Sequence, residues 1–310
     1  MWTFLGKNKH RSKSQTMSLA SARDIVNAFT PVYEQIAPPT PSSPIILASP
    51  HSGRLYPEAF LAQTGLSLAT LRRVEDAFVD DIFRPLAAHG FSFLSANFPR
   101  VITDVNRSAD EWPPESKAQI SKRPFSISPR ARAGLGVVPM RVAVHENIYE
   151  DVLPAAHVAL RIKRLHVPYH KALSGLLNHT KTKFGRAVLL DCHSMPALGE
   201  NGQRNADIVL GNRFGEACHG QTIDTLRSIL QGFGYDVRLN DPYAGGYVTA
   251  HYGKPHTGTE AIQIEINKDL YLDTSALLPH QGMEKLARNL QSAILQFAHE
   301  FERPADIAAQ

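Results

Sequence analysis

Cysteine is scarce in this chain of 310 residues, which contains only Cys192 and Cys218. Two cysteines cannot form a framework of several disulfides, and Cys192 lies inside an apolar run, which fits a reducing cytoplasm. No stretch of about 18 apolar residues is present to span a membrane, and no apolar run follows the basic N-terminus to form a secretory signal. The sequence therefore predicts a cytoplasmic protein without a membrane partner.

The body of the chain also lacks an excess of one charge sign. The whole chain has 33 basic and 29 acidic residues, but the first 16 residues contain four basic side chains and no acidic one. A balanced body lacks the field that attracts nucleic acid, so no nucleic-acid partner is predicted. Residues 1–16 are predicted to form a disordered basic tail and residues 17–310 a single catalytic domain. A homo-oligomer is compatible with this organisation.

Short apolar runs alternate with amphipathic helical patterns along the chain. This order predicts an α/β fold with one mixed, mostly parallel sheet flanked by helices. Strands are predicted at 44–48, 91–96, 101–107, 188–191, 207–211, 235–239 and 261–267. Helices are predicted at 21–36, 66–83, 148–183, 214–231 and 280–302. Residues 108–140 are rich in Pro, Ser, Arg and Gly without a clear period, which predicts a long excursion of the kind that often forms a lid.

Three polar side chains stand at the ends or on one face of predicted strands. His51 follows the run at 44–48, His193 follows the run at 188–191 with Asp191 two residues before it, and Glu265 lies on an alternating strand. Ligand sites in open α/β sheets lie at the carboxyl ends of strands. Two imidazoles and a carboxylate make an open zinc site, and a further carboxylate can act as a general base. The alternative is that both histidines are ordinary polar residues at strand ends.

Two frequent catalytic motifs are missing from the sequence. Without a HExxH helix, metal ligands would have to converge from distant segments, and without a GxSxG turn there is no nucleophile elbow. Ser52 and Ser194 each follow a histidine, but adjacent residues on an extended chain point to opposite faces. Cys192 is turned away from His193 for the same reason. A covalent mechanism is therefore disfavoured.

Four segments, taken together and in order, resemble the N-formylglutamate amidohydrolase family: residues 49–57, 98–107, 190–196 and 263–271. The resemblance runs from about residue 43 to residue 290. It implies an α/β domain similar in fold to zinc carboxypeptidases and aspartoacylase-like deacylases, with one zinc ion per chain at strand ends. It also implies hydrolysis of a linear amide in a small anionic N-acyl amino acid, such as N-formylglutamate, which would give glutamate and formate.

The resemblance further implies which residues bind the metal. His51 and His193 are similar to the two histidine ligands. The carboxypeptidase pattern places a glutamate three residues after the first histidine, but Arg54 stands there in this chain. The acidic ligand is therefore expected from the predicted helix start near residue 76, with Asp76 as the first choice. The alternatives are Glu75 and Asp80, and an acidic first turn exposed to solvent is the simpler interpretation of all three.

The remaining implied roles concern substrate and catalysis. Glu265 resembles the general base, and Arg107 resembles the arginine that pairs with a substrate carboxylate and helps to stabilise the oxyanion, with Asn106 beside it. Arg54 is the first choice for a second cationic contact, and Tyr247 is expected to close over the substrate from its Gly-Gly loop. The alternatives for the second contact are Arg204 and Arg213. Alternative functions are hydrolysis of another N-acyl amino acid or a peptide, and ligand binding without catalysis.

Overall fold

The computed structural model describes residues 18–121, 127–199 and 201–302. The predicted tail at 1–16 lies outside these residues. The strands are β1 (Tyr33–Ile36), β2 (Ile45–Ser49), β3 (Ser92–Ala96), β4 (Arg141–Ala143), β5 (Glu146–Asn147), β6 (Ala187–Met195), β7 (Ile208–Gly211), β8 (Val237–Leu239), β9 (Thr259–Asn267), β10 (Leu272–Asp273) and β11 (Leu278–Pro279). A seven-stranded sheet has the order β1-β3-β2-β6-β9-β7-β8, and two small sheets pair β4 with β5 and β10 with β11.

Helices lie on both sides of the large sheet. They are α1 (Leu19–Asn27), α2 (Glu58–Leu61), α3 (Leu68–Arg72), α4 (Val79–Phe83), α5 (Pro114–Ala118), α6 (Pro129–Arg132), α7 (Ala155–Arg161), α8 (Val167–Phe184), α9 (Gly220–Gly232), α10 (Tyr247–Tyr252) and α11 (Gly282–Glu302). A π-helical turn, Ile162–His166, joins α7 to α8, and single 3-10 turns lie at Arg84–His89, Pro255–Thr257 and Lys268–Leu270. In the described part of the chain, no helix combines the length and the apolarity needed to cross a bilayer.

The predicted mixed, mostly parallel sheet flanked by helices is confirmed. Strands β2, β3, β6 and β9 run parallel, whereas β1 and β7 pair antiparallel with β3 and β9. The central strand β6 is buried along its whole length, as its continuous apolar run predicts for a strand covered on both faces. One apolar cluster packs α4, α9 and α11 on one face, and a second packs α1, α7 and α8 on the other.

The register of the central strands brings the polar residues together. On β6 and β9, His193 lies directly opposite Glu265, and Asp191 lies opposite Gln263. Residues two apart on a strand share a face, so these four side chains belong to one face of the sheet. Strand β2 runs parallel to β6 and ends at Ser49, so that His51 follows at the same edge.

The first two predicted helices end early or are interrupted in the structure. The helix at 21–36 ends at Asn27, and the segment after Pro31 forms β1, because Tyr33–Ile36 pairs with β3. The helix at 66–83 is broken into α3 and α4, with Asp76 in the connection. The backbone of this connection bonds to other segments: the Asp76 N–H donates to the His51 carbonyl at 3.1 Å, and Phe78 adopts a left-handed conformation with φ 64°.

The predicted strand at 101–107 is an irregular turn in the structure. The carboxylate of Asp104 accepts the N–H of Asn106 at 2.8 Å, and the Asp104 N–H donates to the carbonyl of Val137. An acceptor side chain that captures a nearby N–H in this way competes with a strand ladder. The prediction of a strand at 101–107 is therefore wrong. The helix predicted from residue 148 begins only at Ala155, and the one predicted from 214 begins at Gly220.

Gly53 permits the close approach that fixes the segment after β2, and its substitution provides a test of the fold. A Cβ at this position would overlap the backbone of Phe98, including its nitrogen at 2.7 Å. We expect Gly53→Ala to cost about 1–3 kcal/mol of unfolding free energy, as overpacking of a core does. Thermal melting should therefore shift down by several degrees, at roughly 2–4 °C for each kcal/mol.

Gly175→Ala provides the matched control for this prediction. Gly175 lies on the exposed side of α8, and nothing stands within 4 Å of the Cβ that would be added. Replacing a helical glycine with alanine should raise stability by roughly 0.5–1 kcal/mol. Equal melting temperatures for Gly53→Ala and the unchanged protein would contradict the close approach.

Candidate metal and active site

Three buried side chains from distant segments form a candidate metal site. The ligand atoms of His51, Asp76 and His193 all lie within 4.8 Å of one another. Asp76 Oδ2 lies 3.2 Å from His51 Nδ1 and 2.9 Å from His193 Nδ1. Each side chain is at most 3% exposed. Both imidazoles therefore direct the same ring atom, Nδ1, to the carboxylate.

A second layer of carboxylates holds the other side of both rings. His51 Nε2 lies 2.8 Å from Asp104 Oδ1, and His193 Nε2 lies 3.0 Å from Asp191 Oδ2. A carboxylate at Nε2 keeps the proton on that atom and leaves Nδ1 as the electron-pair donor, as in many metal-binding histidines. The donor set and its orientation therefore fit a divalent metal ion. Asp191 lies behind the candidate ligand His193, where the Asp-x-His spacing on one strand face places it.

The connection between α3 and α4 is fixed so that Asp76 faces the histidines. Ser52 Oγ donates to the Asp76 carbonyl at 2.9 Å and accepts the Asp80 N–H at 3.1 Å. Lys268 Nζ donates to the Glu75 carbonyl at 2.6 Å. Asp76 is thus tied to the segment of His51 and to the end of β9.

The two alternative acidic ligands face other partners. Glu75 accepts hydrogen bonds from Tyr56 and Arg72, and Asp80 pairs with Arg54 and Arg84. Glu75 and Asp80 do not belong to the cluster of candidate ligand atoms. Among the three acids proposed from the sequence, the geometry therefore favours Asp76.

The electrostatics of the metal-free cluster depend on burial and on close charge pairs. Burial raises the pKa of Asp76, but hydrogen bonds from His193 and His51 outweigh it and bring the pKa below its usual range. Burial lowers the pKa of His193, but the charge of Asp191 and hydrogen bonds to Asp191 and Asp76 raise it well above the usual value. A protonated imidazole thus supplies the positive charge that the buried acids require.

The histidines open onto a cavity of about 200 Å³ at the carboxyl edge of the sheet. Glu265 lies in the same cavity, and residues 242–246 cover one side of it. The cationic side chains in its lining are Arg100, Arg107 and Arg130. Burial lowers the pKa of Arg107, and the nearby charges of Arg100 and Arg130 lower it further, against the opposing effect of Asp104. Three guanidinium groups this close together favour an anionic ligand.

The structure does not bring Arg54 to this cavity, which corrects its predicted role. Arg54 Nη2 lies 3.0 Å from Asp80 Oδ2, its Nη1 lies 3.1 Å from Asp81 Oδ2, and its guanidinium stacks on Phe78. It borders a separate cavity near α4. The two acids in the first turn of α4 hold it there.

Arg100 and Arg130 were missed by the sequence analysis. Arg100 stands in the segment 98–107 that carries the family resemblance, and its Nη2 lies 2.8 Å from Asp104 Oδ2. The spacing of Arg100 and Asp104, an arginine with an acid four residues later, is the feature of the sequence that could have indicated Arg100. Arg130 lies on α6 within the 108–140 excursion, where composition indicated a lid but identified no particular side chain.

Asn106 and Arg107 lie at the cavity, whereas Tyr247 does not line it. Asn106 Nδ2 lies 3.4 Å from His193 Nε2, and Arg107 donates from Nε to the Leu135 carbonyl at 2.9 Å. Tyr247 follows the lining residues 242–246 and stacks on His251, with 5.0 Å between ring centroids. The tyrosine that lines the cavity is Tyr243.

Glu265 lies opposite the candidate metal ligand His193, on the neighbouring strand. Its Oε1 accepts a hydrogen bond of 2.8 Å from Gln263 Nε2. Burial raises its pKa from the ordinary 4.5 to about 7, although the positive charge of His193 opposes this rise. A carboxylate with a pKa in this range can exchange protons near neutral pH, as a general acid or base requires.

Comparison with known proteins relates this geometry to a family. A model of the N-formylglutamate amidohydrolase family matches residues 43–272. The chain belongs to this family. It is therefore an amide-cleaving hydrolase, and the resemblance found in the four sequence segments is confirmed.

Members of the N-formylglutamate amidohydrolase family resemble the chain over most of its length. N-formylglutamate deformylase of Pseudomonas aeruginosa is 27% identical over 272 residues, which cover 83% of this chain and 94% of that protein. The same enzyme of Pseudomonas putida is 26% identical over 263 residues, covering 82% and 90%. The crystal structure of N-formylglutamate amidohydrolase from Ralstonia eutropha JMP134 has a TM-score of 0.79 at 32% identity, covering 86% of this chain and 97% of that chain.

The burial of Glu265 predicts a pH-dependent stability of the metal-free protein. The pKa of Glu265 is about 7 in the folded protein, against an ordinary 4.5. The contribution of Glu265 to the free energy of unfolding is therefore fully present below about pH 4.5, where the side chain is protonated, and is lost as the pH rises through 7. Glu265→Gln removes the cost of burying an ionised carboxylate. The free energy of unfolding of the variant should therefore exceed that of the unchanged protein by an amount that grows between pH 5 and pH 8 to about 3 kcal/mol.

Urea unfolding of both chelator-treated proteins at pH 5 and pH 8 measures this difference. The comparison between the two pH values controls for packing, because any effect of the glutamine side chain on packing is the same at pH 5 and at pH 8. A stability difference that stays constant with pH would contradict the raised pKa.

Proposed function

We propose that the protein hydrolyses N-formylglutamate to glutamate and formate with one zinc ion per chain. The observation that carries the proposal is the cluster of His51, Asp76 and His193, whose two histidines line the cavity that also holds Glu265 and three arginines. The names of the Pseudomonas and Ralstonia relatives support this choice of substrate. The same residues suit the hydrolysis of other N-acyl amino acids or peptides, and the loops around the site determine the substrate selectivity.

Zinc is the metal that best suits the donor set. Two imidazoles and one carboxylate are a common ligand set of catalytic zinc sites, which keep a further position open. His51 Nδ1, His193 Nδ1 and the carboxylate of Asp76 would hold the ion, while Asp104 and Asp191 orient the rings. Zinc bound there would polarise the scissile carbonyl and lower the pKa of a water molecule to about 7.

Glu265 is the proposed general base and then the general acid. Its carboxylate removes a proton from the attacking water, and the C–N bond breaks after Glu265 returns that proton to the amide nitrogen. Arg100 lines the cavity, and its charge interacts with those of Asp76 and Glu265, so we assign to it the stabilisation of negative charge on the carbonyl oxygen. Arg107 is the alternative for this role.

The arginines match a substrate with two carboxylates. N-formylglutamate carries one negative charge on its α-carboxylate and one on its side chain, and guanidinium groups bind carboxylates with two parallel hydrogen bonds. Arg107 borders the cavity with its Nη1 bonded to the Asn106 carbonyl at 2.7 Å, and Arg130 is exposed on α6. We assign Arg107 and Arg130 to the substrate carboxylates, with Asn106 shaping the wall between Arg107 and the metal.

A panel of amides tests the proposed reaction. We expect the purified protein to carry one zinc ion and to release formate from N-formylglutamate faster than it cleaves N-acetylglutamate, N-formylnorleucine or a glutamyl peptide. Treatment with a chelator should abolish turnover, and added zinc should restore it. Formate release and elemental analysis are the measurements.

Glu265→Gln is the matched variant for this test. It should retain zinc, because Glu265 is outside the ligand cluster, while kcat falls by roughly 10²–10⁴ as expected for loss of a general base. Full turnover in a zinc-loaded Glu265→Gln protein would remove Glu265 from the mechanism. Activity that survives complete loss of metal would refute the zinc site.

Substitution of the arginines tests how the substrate is held. Each lost charge-assisted hydrogen bond costs about 1.5–3 kcal/mol, which corresponds to a rise in KM of roughly 10–150-fold. We expect Arg107→Ala to reach this range for N-formylglutamate and Arg130→Ala to have a smaller effect, because Arg130 is exposed. An arginine that binds the side-chain carboxylate should leave KM for N-formylnorleucine unchanged.

Arg54→Ala is the control for these variants. Because Arg54 pairs with Asp80 and Asp81 outside the cavity, its loss should lower stability and leave KM within about twofold of the original value. A large rise in KM for Arg54→Ala, with none for Arg107→Ala, would reverse the assignment.

A further inference from the structure

The side-chain amide of Gln263 lies between the proposed general base and a glycine-rich loop. Gln263 is on β9, two residues before Glu265, and is 4% exposed. Its Oε1 accepts the backbone N–H of Gly246 at 2.8 Å, and its Nε2 donates to Glu265 Oε1 at 2.8 Å. Both contacts lie at the wall of the cavity. One amide thus connects the loop at 242–246 to the catalytic carboxylate.

The two neighbours of this amide determine its orientation. A backbone N–H can only donate, so the carbonyl oxygen of Gln263 has to face Gly246. The NH2 group consequently faces Glu265 and donates to the carboxylate. Glu265 Oε1 is occupied by this hydrogen bond, whereas the described residues form none with Oε2. Oε2 is therefore the oxygen that remains for proton transfer.

Asn106 also contacts the segment that carries Gly246. Its Oδ1 accepts the N–H of Val248, in the first turn of α10, at 2.8 Å. The backbone of Gly246 packs so closely against Asn106 that an added Cβ would lie 2.6 Å from its Cγ. The Gly246 N–H therefore reaches Gln263 only while the loop is packed against the side-chain amides of Gln263 and Asn106.

We infer that Gln263 is a positioning residue that couples docking of the 242–246 loop to the alignment of the Glu265 carboxylate. The inference rests on the proposed role of Glu265 as general base. When the loop lifts to admit substrate, Gln263 Oε1 loses its donor, the amide can rotate, and Glu265 loses its fixed orientation. The base is aligned in the state in which the loop covers the cavity and shields the reaction from solvent.

Gln263→Met tests this coupling, because methionine has a similar length but forms neither hydrogen bond. We expect kcat for N-formylglutamate to fall roughly 10–100-fold, as for other residues that orient catalytic groups. KM should stay within about twofold and the zinc content should not change, because Gln263 is assigned neither to substrate binding nor to metal binding. An unchanged kcat would overturn the inference.

The same substitution in a Glu265→Asp background separates positioning from a general structural effect. The shorter side chain withdraws the carboxylate from Gln263, so Gln263→Met should lower kcat by less than about twofold in that background. Asn267→Leu is the matched control: its buried amide lies on the same face of β9 and donates to the Ala206 carbonyl. It should lower kcat by the same factor in both backgrounds. The same behaviour in Gln263→Met would overturn the inference.

Gln263→Glu keeps the test available if Gln263→Met does not fold. The new side chain retains an oxygen for the Gly246 N–H but replaces the amide donor to Glu265 with a second carboxylate, so we expect kcat to fall at least as far as in Gln263→Met. Wild-type kcat in this variant would overturn the coupling. If Glu265→Gln is inactive while the Gln263 variants match the wild type, only the coupling fails; if Glu265→Gln is fully active, the proposed base fails as well.

Discussion

The site depends on a buried carboxylate, Asp76, which lies between Nδ1 of His51 and Nδ1 of His193. A charge without partners at this depth would cost several kcal/mol, so the cluster is stable only if its members are held together. The parallel strands β2 and β6 deliver the histidines to one edge. Ser52 fixes the backbone that carries Asp76, because its Oγ donates to the Asp76 carbonyl and accepts the Asp80 N–H. The site therefore requires both the sheet, which places the histidines, and the connection between α3 and α4, which places Asp76.

Charge is arranged in layers around this cluster. Asp104 and Asp191 lie behind the imidazoles, whereas the arginines lie around the cavity in front of them. Arg100 connects the layers because it pairs with Asp104 and lines the cavity. A metal ion placed between them would balance the acids, and an anionic substrate would balance the arginines. In the proposed function, the formyl group of the substrate would face the metal site and its carboxylates would face the arginines.

The strand residues of the site could be predicted from the sequence because a sheet has a simple period. The alternation on β9 and the Asp-x-His spacing on β6 determine which side chains share a face, and parallel pairing determines that they meet. The helices were predicted in kind but with wrong ends, and the strand predicted at 101–107 is wrong because the carboxylate of Asp104 captures the backbone N–H of Asn106. Such local hydrogen bonds leave no period in the sequence.

Asp76 shows why the loop residues were harder to predict than the strand residues. It was chosen by resemblance and placed in the first turn of a helix, yet it precedes α4 and is oriented by contacts with residues far away in the chain. The acids of the first turn itself retain Arg54 outside the cavity, and Arg130 comes from the excursion instead. His193 and Glu265 lie on strands, whereas Arg100, Arg107 and Arg130 come from segments outside the large sheet. We therefore expect differences in substrate selectivity between relatives to arise in those segments.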